Sequence, residues 1–231
     1  MSTDARALLR LQSWLSPGFP VGAYSYSHGL EYAVEAGLVG DVARLVDWLD
    51  GDLRHGAGWC DGVVFVAAYR AAGRDDTTAL EQLGELAAAR LGTRELALES
   101  LAQGEAFLQA IAAAWPHDRL ATQRAALKQR GLRAAYPLAV ALAGAVHAVP
   151  LGPAVHLFLQ ASVANLVNAG VRLIPLGQSD GQRAVAALEA AVLSVADLAF
   201  DSTIDDLGST ALMVDWASMN HESQYTRLFR S

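Results

Sequence analysis

Apolar residues in this chain recur at helical spacing, and none of its long apolar runs alternates with the period of two that a half-buried strand requires. Asp41 stands where an N-cap belongs, before Val42, Leu45, Val46 and Leu49. Asp61 precedes Val63, Val64, Val66 and Ala67, with Gly56 and Gly58 breaking the chain between the two runs. Thr77 or Thr78 opens a third run through Leu80, Leu83, Leu86 and Leu91, and Thr93 a long one through Leu96, Leu101, Leu108 and Ile111 that ends before Pro116. Pro137 suits the first turn of a helix reaching about Ala148, and Pro150 and Pro153 restart the chain into a long helix toward Leu173. Residues 182–198 give another, with Leu188, Ala191, Val192 and Val195 on one stripe. The pattern predicts an all-α fold, one single-domain bundle over residues 1–231 of roughly eight to ten helices. Its most buried helices are expected at 155–173 and 188–198, where apolar faces are broadest and charges fewest.

Composition then removes function classes. A formal net charge of −7 argues against a basic face for nucleic acid. Lys128 is the single lysine, and it lies between Leu127 and Gln129, without the glycine-rich turn and following Ser or Thr of a phosphate loop. Cys60 is alone and makes no internal disulfide; with no charged-then-apolar leader the chain is expected to be cytoplasmic. The most membrane-like stretch, 151–174, carries His156, Gln160, Asn165, Asn168 and Arg172, so it reads as a central helix of a bundle and no membrane is expected. Hydrophobic residues make up 53% and charged ones 18%, an apolar excess that leaves surface for partners and points to a homodimer.

Three stretches are not accounted for by packing. In residues 16–31, SPGFPVGAYSYSHGLE, two prolines and three glycines crowd around Tyr24, Tyr26 and His28, with a helix expected from about Ser27 and Glu31. Residues 171–182, VRLIPLGQSDGQ, hold Arg172 and the polar side chains of Gln178, Asp180 and Gln182 around Pro175 and two glycines. A plain turn with Ser179 or Asp180 as cap explains this stretch as well as any site does. The tail, 217–231, sets His221, Glu222, Gln224, Tyr225, Arg227, Leu228 and Phe229 in a short polar, basic and aromatic run, rich in the residue types of interface hot spots. It is expected to bind a partner and to gain its order there, the helical core ending near Trp216.

No catalytic constellation assembles. Ser25 to Gly29 lacks the first glycine and the strand of a nucleophile elbow, so a hydrolase using Ser25 or Ser27 has no visible base. The six histidines, at 28, 55, 117, 147, 156 and 221, show no i, i+4 pair that would clamp a metal on a helix, and no metal or other cofactor is expected.

Taken in order, FPVGAYSYSHGLE (19–31), TRELALESLAQG (93–104), RLIPLGQSDGQ (172–182) and HESQYTRLFRS (221–231) resemble the marked segments of the UreF-type urease accessory proteins over essentially the whole chain. Two positions depart: Ala211, where proline is common, and Asn220, where a basic residue is usual. The resemblance implies a non-catalytic, dimerising accessory protein. It would join a UreD or UreH type protein and recruit the GTPase UreG, and the assembly would deliver nickel to apo-urease. Tyr24, Tyr26, His28, Glu31, Arg172, Gln178, Asp180, Gln182 and, in the tail, His221, Glu222, Gln224, Tyr225, Arg227, Leu228 and Phe229 would then be partner contacts. The alternative is a metallochaperone holding nickel itself on His221, Glu222 and His28.

Overall fold

A computed structural model describes residues 5–231. Among them it holds eleven α-helices, two short 3-10 turns and no strand. The helices are α1 Ala5–Trp14, α2 Leu30–Glu35, α3 Val42–His55, α4 Ala57–Gly73, α5 Thr77–Ala89 and α6 Arg94–Ala114. They continue as α7 Asp118–Gln129, α8 Tyr136–Val146, α9 Leu151–Leu173, α10 Gln178–Asp201 and α11 Leu212–His221. One continuous cluster of buried apolar side chains runs from Ala7 to Phe229.

Caps placed several boundaries. The Asp41 carboxylate accepts the Arg44 N–H at 2.9 Å, and the Thr93 hydroxyl accepts that of Leu96 at 3.2 Å. At α5 the helix opens at Thr77, but the cap is Asp76, which accepts from Ala79. Asp61 does not open α4. The helix starts at Ala57 straight after Gly56, and Asp61 lies in its second turn, paired with Arg90. Gly58 is helical, and a side chain there would sit 2.7 Å from the Leu53 Cα; it permits close approach of α3 rather than breaking the chain.

The order of burial also differs from the expectation. In α8 nine of eleven residues are buried, against nine of twenty-three in α9 and eight of twenty-four in α10. A short helix that is apolar on every side has no face to give to solvent, so it takes the centre, packed on α4 and α6. The longer helices use one stripe each. Helix α9 is long and apolar enough to cross a membrane, with mean hydropathy 1.3 over its most apolar window, but half of that window is buried against the bundle. Its polar groups have fixed partners there: Asn165 donates to the Ala23 carbonyl at 3.1 Å and Arg172 to that of Tyr24.

Candidate partner-binding site

The N-terminal stretch, α6 and the tail converge on three glutamates. Glu31 lies in the first turn of α2, and Glu95 and Glu99 are one helical turn apart on α6; all three are buried. Burying a carboxylate costs several kcal/mol unless its oxygens are supplied with donors, and here nearly every donor comes from the tail or from the 27–28 turn. Glu31 accepts the backbone N–H groups of Leu228 at 2.6 Å and Phe229 at 2.9 Å. Glu95 takes Arg227 Nη1 at 2.7 Å. Glu99 takes the Ser231 hydroxyl at 2.6 Å on one oxygen, with His28 Nε2 and Gln103 Nε2, each at 2.9 Å, on the other.

His221, fully buried at the end of α11, joins two of the three. Its Nδ1 lies 2.6 Å from Glu95 and its Nε2 3.1 Å from Glu31. Both ring nitrogens are thus engaged with carboxylate oxygens inside the fold, and neither faces an open position that a metal could take. Glu222 next to it accepts the N–H of Arg94 at 3.1 Å and so caps α6. The three residues named for a nickel clamp are therefore already spoken for, and no group of three His, Cys, Asp or Glu among the described residues is placed to hold a metal ion.

This latch corrects the view of the tail as an appendage beyond a core that ends near Trp216. Helix α11 runs on to His221, Phe229 is 4% exposed and belongs to the core, and Arg172 stacks over its ring at 4.2 Å. The Arg230 N–H donates to the Ser25 carbonyl and the Ser27 N–H to that of Ser231, both at 2.8 Å. The tail is thus ordered on the chain itself. Tyr26 is buried as well, which leaves Tyr24, Tyr225 and Leu228 as the exposed large hydrophobic side chains of the N-terminal stretch and of the tail beyond α11. Gln224 reaches Glu35. Beside them α11 presents Leu212, Met213, Trp216 and Met219, all exposed, with Trp216 edge-on to Tyr32 at 5.3 Å between ring centroids.

The 178–182 residues do not join the latch. Asp180 accepts the Gly177 N–H at 2.9 Å and pairs with Arg183, acting as the helix-start acceptor of α10, while Gln178 and Gln182 stand exposed on its first two turns. Glu95 and Glu99, by contrast, are central to the site and were not singled out from the sequence. The only signal was their spacing of four, which continues to Gln103 and sets three polar residues in one stripe of the helix.

Behind the latch lies a cavity of about 470 Å³ whose lining includes His28, Asp52, Cys60, Asp61, Arg90 and Glu99. Burial alone would lower the His28 pKa, but Glu99, by charge and by hydrogen bond, and then Asp52 and Asp61 more than offset it, raising it from 6.5 to about 9. Burial pushes the Asp52 and Asp61 carboxyls upward, against the pull of His28 on the first and of Arg90 and His28 on the second. A ring that holds its proton more tightly when folded stabilises the fold fully below about pH 6.5, and that contribution fades as pH rises through about 9. Urea unfolding of wild type and His28→Gln is therefore expected to show a stability gap at pH 6 that shrinks by pH 9.5; a gap constant with pH would rule out the His28–Glu99 ion pair.

The profile of the UreF family matches residues 39–189, and relatives match over almost the whole chain. A urease accessory protein UreF of Rhodopseudomonas palustris strain BisB5 is 53% identical over 228 residues, 99% of this chain and 93% of that protein. One of Bradyrhizobium diazoefficiens is 50% identical over 228 residues with the same coverage, and one of Bradyrhizobium sp. strain ORS 278 is 49% identical over 228. The chain belongs to the UreF family. That is a family of non-enzymatic accessory factors, in keeping with a site whose titratable groups bind one another rather than a reacting molecule. The match to these relatives extends beyond the segment covered by the profile over both the N-terminal stretch and the tail, the two ends that the glutamates join.

Proposed function

We propose that this chain is a scaffold of urease maturation: it joins a UreD or UreH type protein, the pair recruits the GTPase UreG, and the assembly passes nickel to apo-urease, with this chain present as a homodimer. The observation that carries the reading is the exposed set of Tyr24, Tyr225, Leu228 and the outer face of α11, mounted on a latch of buried charges. A rigid support with apolar and aromatic residues left outside suits docking, because little side-chain freedom is lost on binding. Nickel enters this reading as cargo of the assembly. A chaperone that holds nickel on His221, Glu222 and His28 finds no support in a geometry where those groups serve Glu31, Glu95, Glu99 and the N-terminus of α6.

Co-purification of the chain with the UreD-type protein, UreG and apo-urease tests the assembly, and light scattering tests the dimer. Tyr24 is 70% exposed and Tyr225 fully so. Tyr24→Ala and Tyr225→Ala should therefore leave Tm within about 2 °C of wild type. Loss of a hot-spot side chain costs about 2 kcal/mol or more, so their capture of partners should weaken by about thirtyfold. Undiminished capture by the double variant would remove this face from the interface. Arg227 is not a clean probe of binding alone, since it also neutralises Glu95 within the fold.

A further inference from the structure

On α1, at a pocket separate from the latch, three basic side chains converge. The pocket is open and lined by Arg10 of α1, by Trp115, Pro116 and His117 of the turn between α6 and α7, and by Val146 and His147 at the end of α8. No acidic residue lines it. In a chain of net charge −7 this is an unusual place. Arg10 meets no carboxylate among the described residues; its Nη1 lies 3.3 Å from His147 Nδ1 and 3.5 Å from the His147 carbonyl, which leaves the rest of the guanidinium fork unused. The His117 and His147 rings stand edge to face, 5.4 Å apart, and the inner side of His147 is closed by Trp14 at 5.4 Å.

The sign of the ligand follows from Arg10. Two histidine rings this close suggest a divalent cation, but a guanidinium against one of their nitrogens repels it and occupies the lone pair that would ligate it. An anion gains from all three groups: from the unused arm of Arg10, from His117 Nε2, since His117 Nδ1 accepts the Arg119 N–H as cap of α7, and from His147 Nδ1, which on protonation donates to the anion in place of accepting from Arg10. A tetrahedral oxyanion has enough acceptors for donors arriving from three elements, whereas a planar carboxylate is filled by the Arg10 fork alone. We propose that this pocket is a binding site for a phosphate group, held by Arg10, His117 and His147.

Proton linkage gives the site a signature. His147 loses affinity for its proton through burial first, and through the charges of Arg10 and His117; these are the charged groups facing it from α1 and from the α6–α7 turn. The Trp115 backbone acts weakly the other way, near enough to favour the charged ring but without a hydrogen bond of good geometry to Nε2. An anion reverses the two repulsions, so its binding takes up protons and is tighter in acid, and by reciprocity it raises the pKa of the ring.

Inorganic phosphate titrated into the full chain, with the histidine ring resonances followed by NMR, tests this. Expected is a saturable shift of His117 and His147 with a midpoint on the order of millimolar at pH 6, weakened about threefold or more at pH 8. Acetate should bind about tenfold more weakly, and a phosphate monoester about as well as phosphate itself, if the group rather than the free ion is recognised. Arg10→Gln should abolish the shift, and His117→Asn, which removes the ring but keeps an acceptor for the Arg119 N–H at the cap of α7, should weaken it about threefold or more. No saturable shift in wild type at pH 6, equal affinity for acetate, or a full response in a folded Arg10→Gln chain would each overturn the proposal.

Discussion

Glu31→Ala is expected to lower the unfolding free energy by about 3–5 kcal/mol, the range for removing one partner from a buried charged network. Glu31 is 7% exposed and accepts three hydrogen bonds, from the amides of Leu228 and Phe229 and from His221 Nε2. Alanine strands all three donors and leaves His221 with Glu95 alone. In a chain of this length each kcal/mol corresponds to about 2–4 °C, so Tm should fall by roughly 10 °C. The tail should loosen before the bundle does, and trypsin should cut after Arg227 or Arg230 in the variant while sparing wild type. A double-mutant cycle with His221→Ala separates the direct bond from general damage, since partners in one network are strongly non-additive. A Tm within about 2 °C of wild type and an uncut tail would mean that the glutamates do not hold it.

Helices were legible in this sequence because their signals are local. Asp41 and Thr93 announce two starts and Pro116 one stop, and nothing distant alters them. Helices α1 and α7 went unseen: α7 mixes charged and apolar residues around Leu120 and Leu127 and has no strong moment of its own, so its helicity rests on packing against α5. Burial was less legible than helicity. Periodicity finds a face, but α8 has none, and a helix apolar all round looks less patterned than the amphipathic α10 although it is the more buried. The site was half legible. Unusual composition marked the 16–31 stretch and the tail, yet the stripe of Glu95, Glu99 and Gln103 looks the same in sequence whether it faces water or a buried histidine. Only contacts 71 to 132 residues apart along the chain distinguish the two.

Gly29→Ala should be nearly as damaging as the loss of Glu31, though it removes no charge and no hydrogen-bonding group. Gly29 has φ +76, where a side chain meets its own backbone at a cost of about 1–2 kcal/mol. A Cβ built there lies 2.5 Å from the Ser218 nitrogen and 2.8 Å from its Cα, so the atoms in the way are backbone of α11 and cannot rotate aside. Ser218 is also tied to Thr93 by a 2.7 Å hydroxyl contact, which anchors that part of α11 to the cap of α6. Helix α11 would therefore have to move as a unit away from α2, carrying His221 off Glu31 and Glu95. Strain, overpacking and partial loss of the latch together give an expected destabilisation of about 3 kcal/mol or more. The readout that separates this from a fault in the turn alone is Trp216, whose packing on Tyr32 depends on the same approach of α11 to α2. Its fluorescence should change in Gly29→Ala under native conditions, and a second change, Ser218→Gly, should not restore it, because the blocking atoms are main chain. In Gly37→Ala, where φ is +73 but no atom lies within 4 Å, only the strain of about 1–2 kcal/mol should appear. Equal losses in the two variants would show that close packing of α11 contributes nothing at Gly29.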